Sequence, residues 1–150
     1  MTGDYYLLRT DEQKANAAAA VSLCKVDREK PSAVQIVPYA KDRSEAQNRL
    51  SHRWYAEISK QGGEYTPEQI KSRCKYHYGI PLLSDDKAFC VFWERVLTTD
   101  PTYEQIVDEI MPITPVTRRM KVSVMAQYLT DIERVHGQKY KLTIPALYGL

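Results

Sequence analysis

SAVQIVPY, residues 32–39, is the stretch on which the fold class turns. Val34, Ile36 and Pro38 alternate with Ala33, Gln35 and Val37, and a period of two marks a strand with one face buried. Proline has no N–H to give a ladder, so Pro38 confines that end to a sheet edge or a strand terminus. DYYLLR, residues 4–9, alternates in a similar mixed way and predicts a first strand. Between them, Thr10 opens TDEQKANAAAAVSLC. A threonine with Gln13 three residues on, followed by an alanine run, predicts a capped helix that ends near Cys24.

Downstream the same grammar repeats. Ser44 with Gln47, Thr66 with Pro67 and Gln69, and Thr102 with Gln105 each open a helix. Gly62-Gly63, Gly79 and Pro112 are their expected stops. Asp85 to about Leu97 reads as a further helix, although FCVFW within it would also serve as a buried strand. Apolar residues at 122, 125, 129, 132 and 135 predict an amphipathic helix. PITPVTRRM is extended by its prolines, and Val116–Met120 is a candidate third strand. The order predicts an α+β fold: a small antiparallel or mixed sheet of two to three strands, packed with about five helices, with residues 1–150 as one domain. A sheet that thin must be covered by the helices or by a second subunit.

Composition excludes several classes. With 43% hydrophobic and 27% charged residues the 150-residue chain reads as globular. No apolar run approaches the ~18 residues of a membrane span, and no signal sequence follows Met1, so a cytoplasmic protein is expected. Cys24, Cys74 and Cys90 are odd in number and far apart, which suits free thiols in a reducing compartment. Enzyme signatures are missing. The paired glycines sit at a helix end rather than in a phosphate loop, and His52, His77 and His136 are scattered. CKYH, residues 74–77, lacks the second pair a zinc site requires, so no metal and no cofactor are expected.

A net charge of +2, from 21 basic against 19 acidic residues, points only weakly to nucleic acid, so any DNA contact must come from local patches. Three clusters qualify. Arg43, Arg49, His52, Arg53 and Lys60 lie on or just before the helix that starts at Ser44. Lys71, Arg73 and Lys75 interleave with Tyr76, His77 and Tyr78. Arg118, Arg119 and Lys121 follow the proline segment. Each would also serve as an ordinary solvated face. Together, in a chain without catalytic motifs, they favour contact with a phosphate backbone. Gln47 is the oddity: at about 100° per residue it falls within the apolar arc of Leu50, Trp54 and Ile58. As the third helical residue it can bond back to the Ser44 backbone, so Ser44 and Gln47 are read as a structural cap.

KDRSEAQNRLSHRWYAEIS, residues 41–59, resembles the NinB (Orf) family of lambdoid phage recombination proteins, through its Arg-Ser, Gln-Asn and later Trp. PVTRRMKVSVMAQYLTDIERVHGQKYKL, residues 115–142, is similar to that family's Thr/Ser-Arg-Met segment, amphipathic helix and Gly-containing turn. The central residues 74–93 share nothing with it. The resemblance implies a homodimer of ring-like or clefted shape in the host bacterial cytoplasm, which binds single-stranded DNA with little sequence preference. It also implies cooperation with the host single-strand-binding protein in loading a recombinase, and no catalysis. On that basis the DNA contacts are expected at Arg43, Arg49, Arg53, Arg118, Arg119 and Lys121. The alternatives are a small phage nuclease with an unassigned carboxylate metal site, or an interaction adaptor that does not bind DNA.

Overall fold

A computed structural model describes residues 6–36 and 44–150, which belong to two units, Met1–Ala40 and Lys41–Leu150. In the first unit Thr10 Oγ1 accepts from the backbone N–H of Gln13 at 3.2 Å, and the Gln13 side chain accepts from Arg9 N at 2.8 Å. That cap opens helix α1, Asp11–Leu23. Alanine favours the helix but brings little surface to bury, and no residue of α1 is buried.

The expected sheet is not formed, and the α+β assignment is corrected: the described residues make a mostly helical fold with no sheet. Residues 6–9 and 32–36 adopt no strand, and the candidate third strand instead holds a 3-10 turn at Thr117–Arg119. Residues 4, 5 and 37–39 of the two expected strands lie outside the described residues. The physical reason is visible at Val34 and Ile36, which are 69% and 82% exposed. Alternation stabilises a strand only where a neighbouring strand and a core face receive it, and here there is neither.

In the second unit α2, Glu45–Gly62, is the central element. It buries Leu50, Trp54, Tyr55 and Ile58 and ends where Gly63 takes the left-handed conformation at φ 69°. Helix α3, Pro67–Cys74, begins with the expected Thr66–Gln69 capping box and contributes Ile70 and Cys74 to the core. Its expected stop at Gly79 does not occur. The chain continues through a π-turn, Lys75–Gly79, and a 3-10 turn, Ile80–Leu83. Gly79 is there for close approach: a Cβ would stand 2.6 Å from Cγ1 of Val116. Helix α4, Lys87–Thr98, is capped by Asp86 and buries only Phe89. Helix α5, Tyr103–Gln105, passes into a second π-turn, Ile106–Ile110, and a 3-10 turn, Met111–Ile113. Helix α6, Val122–His136, buries Met125, Tyr128, Leu129 and Ile132.

Helices α3 and α6 both pack on α2. The hydroxyls of Tyr55 and Tyr128 meet at 2.7 Å in the buried interior. Beyond α6, the extended tail uses side chains of α2 in place of a partner strand. Gln61 both accepts from Lys141 N and donates to Lys141 O, each at 2.8 Å. Trp54 Nε1 donates to Thr143 O at 2.8 Å, and Glu57 accepts from Thr143 N at 2.8 Å. These bonds satisfy backbone groups that a sheet would otherwise have paired.

Candidate nucleic-acid interface

Ser44 and Gln47 form the expected cap. Gln47 N donates to Ser44 Oγ at 3.1 Å and Ser44 N donates to Gln47 Oε1 at 2.9 Å. The glutamine is buried, and its Nε2 reaches across to the carbonyl of Val122 at 2.9 Å. Asn48, next along, keeps its Oδ1 buried without a hydrogen-bond partner.

The basic residues differ in exposure and in the bonds they make. Arg43 lies outside the described residues. Arg49 and Arg53 are exposed on α2, with Arg53 Nε bonded to Glu57 at 2.8 Å one turn on. Arg119 grips Asp86 with two bonds, of 2.6 and 2.8 Å. Its fork therefore secures the cap of α4, and it holds the Asp86 carboxyl at about 2, helped by the N–H of Phe89. Arg118 and Lys121 are exposed.

The structure brings together two clusters that are far apart in sequence. Lys75, in the first π-turn, is only 5% exposed, and its ammonium donates to the carbonyl of Met111. That carbonyl closes the helical segment begun by α5, where the negative end of the helix dipole favours a cation. The pKa of Lys75 is pushed down to about 8 by burial first, then by the neighbouring charges of Lys71 and Arg118. Lys71 stands one helical turn before Lys75 and is half-buried, whereas Arg118 is exposed. Three cations thus share one neighbourhood, and its positive field reaches solvent through Lys71 and Arg118.

A cleft of about 480 Å³ is walled by the end of α2, α3, the first π-turn, the end of α6 and the tail. Sequence reading missed it as a site, because its walls come from segments some 60 residues apart, Tyr78 and His136 among them. Interleaved bases and aromatics at 71–78 were the signal. The Tyr78 hydroxyl and His136 Nε2 are 3.1 Å apart, and the His136 and Tyr140 rings stack at 6.3 Å. The Arg73 guanidinium lies 3.8 Å over the Tyr65 ring, and the Lys139 ammonium 5.3 Å from the Tyr140 ring centre. Burial lowers the pKa of His136, as do His77 and Lys139, and burial followed by Arg73 lowers that of His77. Both shifts favour the neutral ring over the imidazolium. Cys74, at the floor, is pushed up to about 12 by burial and remains a thiol.

Among the described residues no three histidine, cysteine or acidic side chains gather where they could hold a metal ion, and no helix is long and apolar enough to cross a membrane. Searches of curated proteins and of solved structures each give no match. Residues 3–72, which take in α1, α2 and most of α3, match the family model described as NinB protein.

Proposed function

We propose that the protein is a non-catalytic recombination mediator that binds single-stranded DNA through its backbone, with little sequence preference. The observation that carries this proposal is the gathering of Lys71, Lys75 and Arg118 into one positive neighbourhood, in a chain that also holds an aromatic cleft. Cations placed so release counterions when they meet phosphates, and phosphate contacts carry no sequence information. The family match adds the recombination setting. Its natural extension is a homodimer, in the host bacterial cytoplasm, that works with the host single-strand-binding protein to assist loading of a recombinase. A partner copy would also cover α4, whose Val91, Phe92 and Leu97 are exposed. Neither a cofactor nor a metal is needed for binding of this kind.

Labelled single strands in a gel shift, with and without magnesium, test the proposal. A shift in both conditions with the strand intact is expected. Strand cleavage that requires magnesium would make the protein a nuclease. No shift and no cleavage would leave an interaction adaptor, the role for which the open apolar side of α4 is the specific support.

A further inference from the structure

The cleft between α3 and the end of α6 has features that backbone contact does not use. Its volume of about 480 Å³ lies within the roughly 300–1,000 Å³ of small-ligand sites. Its wall is aromatic and uncharged, from Tyr65, Tyr78, His136 and Tyr140. Its charged groups are Arg73 and Lys139 against the single carboxylate of Glu64. Both cations are already seated against tyrosine rings, so little freedom is lost when they take up an anion. Gly62 leaves room for the Tyr140 ring, whose hydroxyl would lie 3.1 Å from any Cβ at that position. A flat ring wall with a cationic edge is complementary to a flat base joined to a phosphate.

We infer that this cleft holds one unstacked nucleotide, its base against the aromatic wall and its phosphate on Arg73 and Lys139. The inference rests on the single-strand proposal above and adds to it a defined subsite, part of which lies outside residues 3–72. The base stacks on aromatic rings, which tolerates any sequence because every base has a π-face. Glu64 can accept from a base N–H, which gives a mild preference among bases and no strict readout.

A thymidine strand carrying one 2-aminopurine tests this, with fluorescence anisotropy reporting binding and 2-aminopurine emission reporting stacking. Calorimetry with free dAMP forms a second arm. The wild-type protein is expected to bind the strand and quench the probe. Tyr140→Leu, which keeps bulk without a ring, is expected to weaken binding about tenfold and to restore emission in the bound strand. Lys139→Gln, at an exposed position, is expected to weaken binding while the bound probe stays quenched. Undiminished quenching in bound, folded Tyr140→Leu would overturn the subsite and leave strand binding standing. If the strand fails to bind but dAMP binds, and does so less well to Tyr140→Leu, the single-strand proposal falls and the cleft is a site for free nucleotides. If neither binds, both are overturned.

Discussion

Gln47 Nε2 donates to the carbonyl of Val122 at 2.9 Å, so the residue that closes the first turn of α2 also fastens the first residue of α6. Replacement by alanine removes the cap bond and a buried cross-tie together, and leaves the Ser44 N–H short of a partner. Gln47→Ala is expected to cost about 2 kcal/mol in urea unfolding. Single-strand affinity should be unchanged in whatever fraction stays folded. Lost affinity at unchanged stability would move Gln47 from the scaffold to the interface.

Arg119 and Asp86 set an acid limit. The carboxyl of Asp86 sits at about 2 rather than 3.8, chiefly because Arg119 bonds it and then because it accepts from Phe89 N. A carboxyl depressed in the folded state contributes stability above its unfolded pKa of about 4, and that contribution is lost as pH falls towards 2. Asp86→Asn should therefore show a shallower loss of stability than wild type between those limits. Arg119→Ala should lower the melting temperature with little change in strand affinity, the opposite pattern from Arg118→Ala. Parallel pH curves for wild type and Asp86→Asn would refute the link.

Lys75 has the reverse sign. Its pKa is about 8 in the folded chain against 10.5 ordinarily, so the unfolded chain holds the proton more tightly. The group costs stability below about pH 8, and the cost fades as pH rises towards 10.5. Wild type should gain on Lys75→Met across that window. At pH 7 the variant should be as stable as wild type or about 1 kcal/mol more stable, since Thr114 N, at 3.2 Å, still bonds the Met111 carbonyl. A variant that unfolds at neutral pH would show that the ammonium is a structural cap that outweighs its burial.

How far the sequence could be read depended on the range of the interaction concerned. The caps at Thr10, Ser44, Thr66 and Thr102 involve partners three residues apart, and all four form as expected. The strands at 4–9 and 32–39 required distant partners that no local pattern records, and their described parts remain open coil. The amphipathic helix from Val122 was legible because its periodicity is local. Gly79 misled: a glycine that stops one helix and a glycine that admits Val116 look alike in sequence. Among the basic residues, Arg119 could not be told from Arg118 until Asp86 was seen beside it, 33 residues away. The union of Lys71, Lys75 and Arg118 was hidden for the same reason.

Salt dependence separates the two cation groups. Each phosphate neutralised on a single strand contributes about 0.7 to the slope of log affinity against log salt. Lys71→Ala with Arg118→Ala should lower the slope by about 1.4, uniformly across sequences. Arg49→Ala with Arg53→Ala should weaken binding less, because Arg53 is already bonded to Glu57. A larger loss from the second pair would place the strand along α2 instead.

The π-turn at Lys75–Gly79 has a genetic consequence. Such a turn is an α-helical turn carrying one surplus residue, which resets the helix by about 100° for everything that follows. Deleting a single codon there would let the segment relax into regular α-helix. The buried face of α3 before it would be untouched, while Tyr78 would swing off the cleft wall and Gly79 away from Val116. At this position, then, the reading frame of the helix is a trait in its own right. It can be gained or lost in one insertion or deletion, with every remaining amino acid unchanged.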